Sequence, residues 1–255
     1  MPFVPMNGLV LPDEDATIWR YMDYWKFKLI FEKSALFFVR SDRFNKNDPW
    51  DSLLPQKWRE KMQKIFCDCS NGEKYTEAAW YEEREIPSNP MQCWNCDEYE
   101  KERMWNEYTS DNKALVVRST VGRFKECFLS TLDQVRIGLV NYGYHDDIDD
   151  PKFAITYWGD NEPKTKLNPW YVPLYLKRKK FDYENEIRAT IHVNRDNQPI
   201  DPGYNLVIGS NGIKKLIESV HLHPKANNEH RMQVKKLLDK YGFHDILLKS
   251  SSLKS

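Results

Sequence analysis

The chain has 255 residues, enough for one large domain or two small ones. Its 38 acidic and 38 basic residues cancel, so no overall field argues for a dedicated nucleic-acid or membrane binder. No apolar run approaches the roughly eighteen residues of a membrane span. The stretch Met1 to Gly8 lacks the basic region and apolar core of a signal peptide. Five cysteines, an odd number, suit a reducing compartment, so the expected setting is the cytoplasm with no membrane partner. The aromatic share of 14% fits either bulky core packing or a wide, shaped pocket.

Residues 1–13 read as an irregular arm, with prolines at 2, 5 and 12. The segment Ile18 to Met22 is a first strand or a short helix. Residues 26–33 read as a helix, and the short apolar run Ala35 to Val39 as a buried strand. Arg43 to Trp50 is turn chemistry, dense in Asn and Asp. Residues 51–90 are polar with helical spacing around Trp58 and Ala78. Met91 to Cys96 is a strand entering a loop. Residues 98–108 predict a helix that buries Tyr99, Met104, Trp105 and Tyr108. Residues 114–119 are a strand, followed by a helix over 120–128 capped by Ser119 or Thr120. Val135 to Tyr142 is another strand. Residues 143–172, rich in Asp, Asn and Pro, read as a long loop of functional or lid type. Asn205 to Ile208 is a short strand, Gly209 to Gly212 a turn, and Ser219 to His223 a strand. Residues 227–241 are a helix with Met232, Val234, Leu237 and Leu238 apolar and Gly242 as its stop, and residues 246–248 are the last strand. Strands interleaved irregularly with helices predict an α+β fold. We read it as a single mixed domain over 1–255, built on a central split, antiparallel sheet with packed helices.

The chemistry concentrates in residues 175–193. A basic run, Lys177 to Lys180, leads into Glu184, Glu186 and Arg188, which alternate with Ile187, Ala189, Ile191 and Val193. On a strand that alternation aims the charged set from one face and the apolar set into the core. Two carboxylates and a guanidinium on one face form either a surface ladder or a site. The four thiols of Cys67, Cys69, Cys93 and Cys96 raise a structural zinc, although Cys-x-Cys is an uncommon zinc spacing. The six histidines show no metalloprotease or nucleophile motif, and no glycine loop of phosphate-binding type is present.

Several pieces in order resemble the bacterial domain-of-unknown-function family 2971. They are Arg20-Tyr21, Phe44 to Trp50, Cys93-Trp94, Met104 to Tyr108 and Val116 to Thr120. Val140 to Tyr142, Lys177-Arg178, Tyr183 to Arg188 and the tail from Val220 to Ser251 complete the series. An early Arg, a middle Ser-Thr step and a late Glu-x-Glu also resemble the ordering in ADP-ribosyltransferases, including toxins and phage-defence effectors. That second resemblance implies an ADP-ribosyltransferase-like fold. It implies an enzyme that cleaves NAD, as substrate, and transfers ADP-ribose to a protein or nucleic-acid acceptor.

In that mapping Arg20 grips the diphosphate, with Tyr21 beside it, and Ser119 and Thr120 brace the site. Tyr108 or Trp105 stacks on nicotinamide or adenine, Glu184 orients the acceptor, and Arg188 positions the acids. Glu186 is the catalytic carboxylate that stabilises the oxocarbenium-like sugar. Two other classes remain open on the same residues. One is a metal-dependent nuclease with Asp48, Glu184 and Glu186 on magnesium and Lys177 to Lys180 on phosphates. The other is a non-enzymatic module that binds a nucleotide or a partner.

Overall fold

The structure, a computed structural model, describes Phe3 and residues 9–46, 48, 51–52, 86–142, 172–193 and 202–253. The helical spacing expected over 53–85, the pair Cys67 and Cys69, and the long loop over 143–171 lie outside the described residues.

Apolar alternation decides most of the elements. β1 (Thr17–Met22) places Ile18 and Met22 on one face and Trp19 and Tyr21 on the other. α1 (Tyr24–Lys33) follows and buries Phe27 and Phe31, four apart, with ring centroids at 4.9 Å. Ser34, in the left-handed region at φ 48°, ends it, and β2 (Ala35–Val39) begins at the next residue. The middle strands are β3 (Met91–Asn95), β4 (Leu115–Thr120) and β5 (Val135–Leu139). The short β6 (Asn141–Tyr142) and β7 (Leu176–Lys177) pair with each other as a separate ribbon. β8 (Glu186–Ile191), β9 (Gly203–Val207), β10 (Ser219–Leu222) and β11 (Leu247–Ser250) complete the set.

The remaining helices are α2 (Glu102–Tyr108), α3 (Val121–Glu126), α4 (Gly209–Leu216) and α5 (Asn228–Lys240). The molecule is thus mixed α/β, with one large, mostly antiparallel sheet and several helices. Among the described residues, no helix is long and apolar enough to cross a membrane.

One path through the sheet runs β11-β10-β4-β1-β3-β2-β9, with β8 on the far edge of β3 and β5 beyond it. Among the named strands of the described residues, the β10–β11 pair in this sheet is the parallel one. The decisive feature is at β3. One of its edges is zipped to β8 over its full length, from Met91↔Thr190 to Asn95↔Glu186. The other edge is shared: β1 meets it at Trp19↔Asn95 and β2 meets it at Val39↔Met91. Neither strand pairs with Cys93, so the sheet splits there. The buried carbonyl that the split would orphan is met by a side chain: Arg20 donates to the Cys93 carbonyl.

The two faces of the sheet differ. Ile187, Ala189 and Ile191 join Ile18, Trp94, Val117 and Val220 in the main core. Each such side chain stabilises by about 1.5–3 kcal/mol. On the opposite face α2 lays Met104 and Trp105 over Trp19, Tyr21 and Val116.

Some sequence expectations need correction. The helix expected over 98–108 starts only at Glu102, because residues 96–97 are tied elsewhere: the Trp19 indole donates to the Asp97 carbonyl at 2.8 Å and Cys96 donates to the Asn185 carbonyl at 2.7 Å. Tyr99 and Tyr108 are therefore exposed rather than buried. Gly209, at φ +67°, opens α4 rather than a turn, and Met232 faces out. Of the two cap candidates it is Thr120 that caps α3, accepting from the Arg123 N–H at 3.2 Å.

At the rim, β9 pairs with β2 in register Val39↔Gly203, and a Cβ on Gly203 would collide with the Phe38 carbonyl and sit 2.7 Å from the Phe37 ring. Gly203→Ala is expected to cost about 1–3 kcal/mol, read as a lower urea midpoint. An unchanged midpoint would show that β9 moves aside freely.

Candidate active-site cleft

The register rows bring the site together. Trp19, Asn95 and Glu186 oppose one another across β1, β3 and β8, and opposed residues share a face. Cys93 and Arg188 form the next row on that face. A cleft opens where the sheet splits. β1 lines it with Trp19, Arg20 and Tyr21, and β3 with Cys93, Trp94 and Asn95. Met104 and Tyr108 close it from α2, and Glu184 and Glu186 stand at its acidic end. It holds about 300 Å³ of empty space, including open solvent at its mouth.

Glu184 reaches the cleft by a backbone reversal. Lys179–Glu184 is a 3-10 helix, and Asn185 turns through the left-handed region at φ 39° before β8 begins. Asn tolerates that conformation, and its side chain donates to the Cys96 carbonyl. The two glutamates therefore come from different elements yet meet at one ammonium. Lys177 donates to Glu184 and lies 3.4 Å from Glu186 and 3.7 Å from Asp51.

Arg188, fully buried, lies behind the cleft and does not line it. It grips Asp51 with two hydrogen bonds of 2.9 and 2.8 Å, holds Glu186 at 3.1 and 3.0 Å, and donates to the Leu174 carbonyl at 2.7 Å. Three carboxylates thus face two cations in a nearly dry place. Arg188 thus holds Asp51 and Glu186, while Glu184 is met by Lys177.

The electrostatics push the two glutamates apart. Burial raises the Glu184 carboxyl above its ordinary value, and the Glu186 charge raises it further, against Lys177. Burial also works to raise Glu186, but Arg188 and Lys177 outweigh it and hold that carboxyl far below the carboxylate range. Burial would strip the proton from Lys177, yet Glu186, Asp51 and Glu184 keep it charged. Tyr108 is partly exposed as a residue, while desolvation and then Glu184 and Glu186 push its phenol well above the ordinary value. The Cys93 thiol is pushed up by burial first and then by Glu186, so it is a protonated donor and not a nucleophile. Two acids driven to opposite protonation behaviour in one cleft are the usual mark of acid–base division of labour.

Of the expected site residues, Arg20, Tyr21, Tyr108, Glu184 and Glu186 converge on the cleft. Ser119 and Thr120 do not. Ser119 is buried and donates to the Leu216 carbonyl, while Thr120 is spent as the α3 cap. Their hydroxyls serve packing on β4, two strands from β3. Arg20 does not sit beside Asp23 at the surface: its position on β1 opposes core Val117, and its guanidinium turns into the split. It has no carboxylate partner among the described residues.

Much of the basic run is spent on acids. Lys177 is buried among the acids, Arg178 pairs with Asp48, and Lys179 pairs with Asp182 at 2.8 Å. The magnesium set Asp48, Glu184 and Glu186 is not gathered either, since these acids are met by Arg178, Lys177 and Arg188. Among the described residues no group of three or more His, Cys, Asp or Glu is arranged to hold a metal ion. Cys93 and Cys96 are free thiols.

Sequence reasoning missed Asp51 and Asn95. The alternation Met91, Cys93, Asn95 against Gln92 and Trp94 was the available signal for Asn95; Asp51 carried none. It also passed over a buried chain in which Ser219 meets His221 Nε2 at 3.0 Å and His221 Nδ1 meets Glu100 at 2.6 Å. Ser219 has no exposed surface, and Glu100 also accepts from Ser251 and Ser252 of the tail. That chain is a fastening for the C-terminal strand.

No family model matches the chain, and no curated protein matches it.

Proposed function

We propose that the cleft cleaves the N-glycosidic bond of NAD and passes the ADP-ribosyl group to water or to a protein or nucleic-acid acceptor, on a fold of ADP-ribosyltransferase type. The likeness to the bacterial unknown-function family 2971, and a role as a toxin or phage-defence effector in the cytoplasm, belong to the same proposal. The observation that carries it is the meeting of Arg20, Tyr108, Glu184 and Glu186 in one cleft at the split of the sheet.

The chemistry follows from those groups. The bond between ribose C1′ and the pyridinium nitrogen breaks, and its electron pair neutralises the ring, which leaves as nicotinamide. Positive charge develops on the sugar, and Glu186, kept ionised by Arg188 and Lys177, faces it. An acceptor oxygen bonds to C1′ and gives its proton to Glu184, whose raised basicity suits that role. Arg20, without a carboxylate partner, offers its remaining N–H groups to the diphosphate. Tyr108 and Tyr21 supply aromatic walls.

The direct test incubates the full chain with NAD and follows free nicotinamide. Release above the uncatalysed background is expected. No release together with no NAD binding by calorimetry would overturn the reading.

A further inference from the structure

We infer that Asn95 is the specificity-determining residue of the cleft, and that its side-chain oxygen reads an N–H donor carried on a planar ring. The orientation of its amide is fixed by chemistry. The Asn95 Nδ2 group lies 2.6 Å from a carboxylate oxygen of Asp97 and 2.5 Å from the Glu184 backbone carbonyl. Both are pure acceptors, so the NH₂ must face them and Oδ1 must take the other direction.

Asn95 is only 2% exposed, and among the described residues its Oδ1 has no partner. Several other polar side chains of the cleft are engaged. The Trp19 indole donates to the Asp97 carbonyl at 2.8 Å, and the Tyr21 hydroxyl accepts from the Lys101 N–H at 2.9 Å. Asn95 Oδ1 is thus a buried acceptor without a partner among the described residues, on a side chain that lines the cleft. A buried acceptor that stays empty is unfavourable, and a ligand N–H relieves it. Trp19, Tyr21 and Tyr108 around it suit a flat ring. A primary carboxamide or an exocyclic amine on a heteroaromatic ring satisfies both conditions.

Within the NAD reading, on which the choice of carboxamide rests, Asn95 holds the nicotinamide carboxamide and so orients the scissile bond toward Glu186. The amine-bearing ring is the form of the inference that survives without that reading.

The experiment uses two neutral ligand pairs that differ at the donor: nicotinamide against methyl nicotinate, and adenine against purine. Each is titrated into the full chain by ligand-observed NMR. Nicotinamide is expected to bind about tenfold or more tightly than methyl nicotinate, the effect of one buried hydrogen bond. Asn95→Ser is expected to erase the preference. Should that variant fail to fold, the wild-type comparison alone still decides. A preference for adenine over purine without nicotinamide binding keeps Asn95 as reader and removes nicotinamide from the cleft, and with it the NAD reading. Equal binding within both pairs, or no binding of any of the four, overturns the inference even if NAD is cleaved.

Discussion

Arg188→Met is expected to lower the unfolding free energy by about 3–5 kcal/mol, the cost of stranding buried carboxylates. Arg188 has no exposed surface and is the partner of Asp51, Glu186 and the Leu174 carbonyl at once. Methionine fills its volume but offers none of those donors, leaving Lys177 as the sole cation for three acids. Urea unfolding at pH 7 measures the loss. The control is the double variant Asp51→Asn with Arg188→Met. It removes one stranded charge, so its cost should fall clearly below the sum of the two single costs. Strict additivity would show that the two side chains do not act as a pair. A cost under about 1 kcal/mol for Arg188→Met would show that water reaches the cluster.

Glu184→Gln is expected to lower the transfer or hydrolysis rate by about 10² to 10⁴, the usual contribution of a positioned base. The pH profile separates this from a general loss of structure. Glu184 must be deprotonated to accept the proton, and its carboxyl is raised by burial and by the charge of Glu186. The rate should therefore rise with pH through a value raised above the group's ordinary one, and the group is protonated and idle below it. Glu184→Gln should abolish that acidic limb. Glu186→Gln should lower the rate while leaving a limb, because Glu186 stays ionised over the whole range and acts through charge. A limb that survives unmoved in Glu184→Gln would end the assignment of Glu184 as proton acceptor.

Much of the fold was legible because period-two alternation and short apolar runs are local signals. Ile187, Ala189 and Ile191 face the core as their spacing requires. The convergence of Glu184, Glu186, Arg20 and Tyr108 was suggested by order along the chain and not by any local pattern.

What stayed hidden was what the charged residues pair with. Lys177 and Arg178 look like a solvated basic run until Glu184 and Asp48 are found beside them. Ser119 and Thr120 look like a motif until their hydroxyls are found bonded to Leu216 and Arg123. Tyr99 and Tyr108 fell on a helical stripe, but the helix began late because contacts from β1 and Asn185 hold the preceding loop. In each case a long-range partner overrode a local preference, and a single sequence carries no record of such partners.

The partners of the acidic cluster lie far apart along the chain. Asp51 and Arg188 are 137 residues apart, Arg20 and Cys93 are 73 apart, and Asn95 and Glu184 are 89 apart. Each closure carries an entropic cost that is recovered only when the strands around β3 have docked. An isolated β8 hairpin leaves Glu184, Glu186, Lys177 and Arg188 hydrated and ordinary in acidity. Their altered protonation is thus a property of the finished topology: a nascent chain carries the residues but not the shifted acidities.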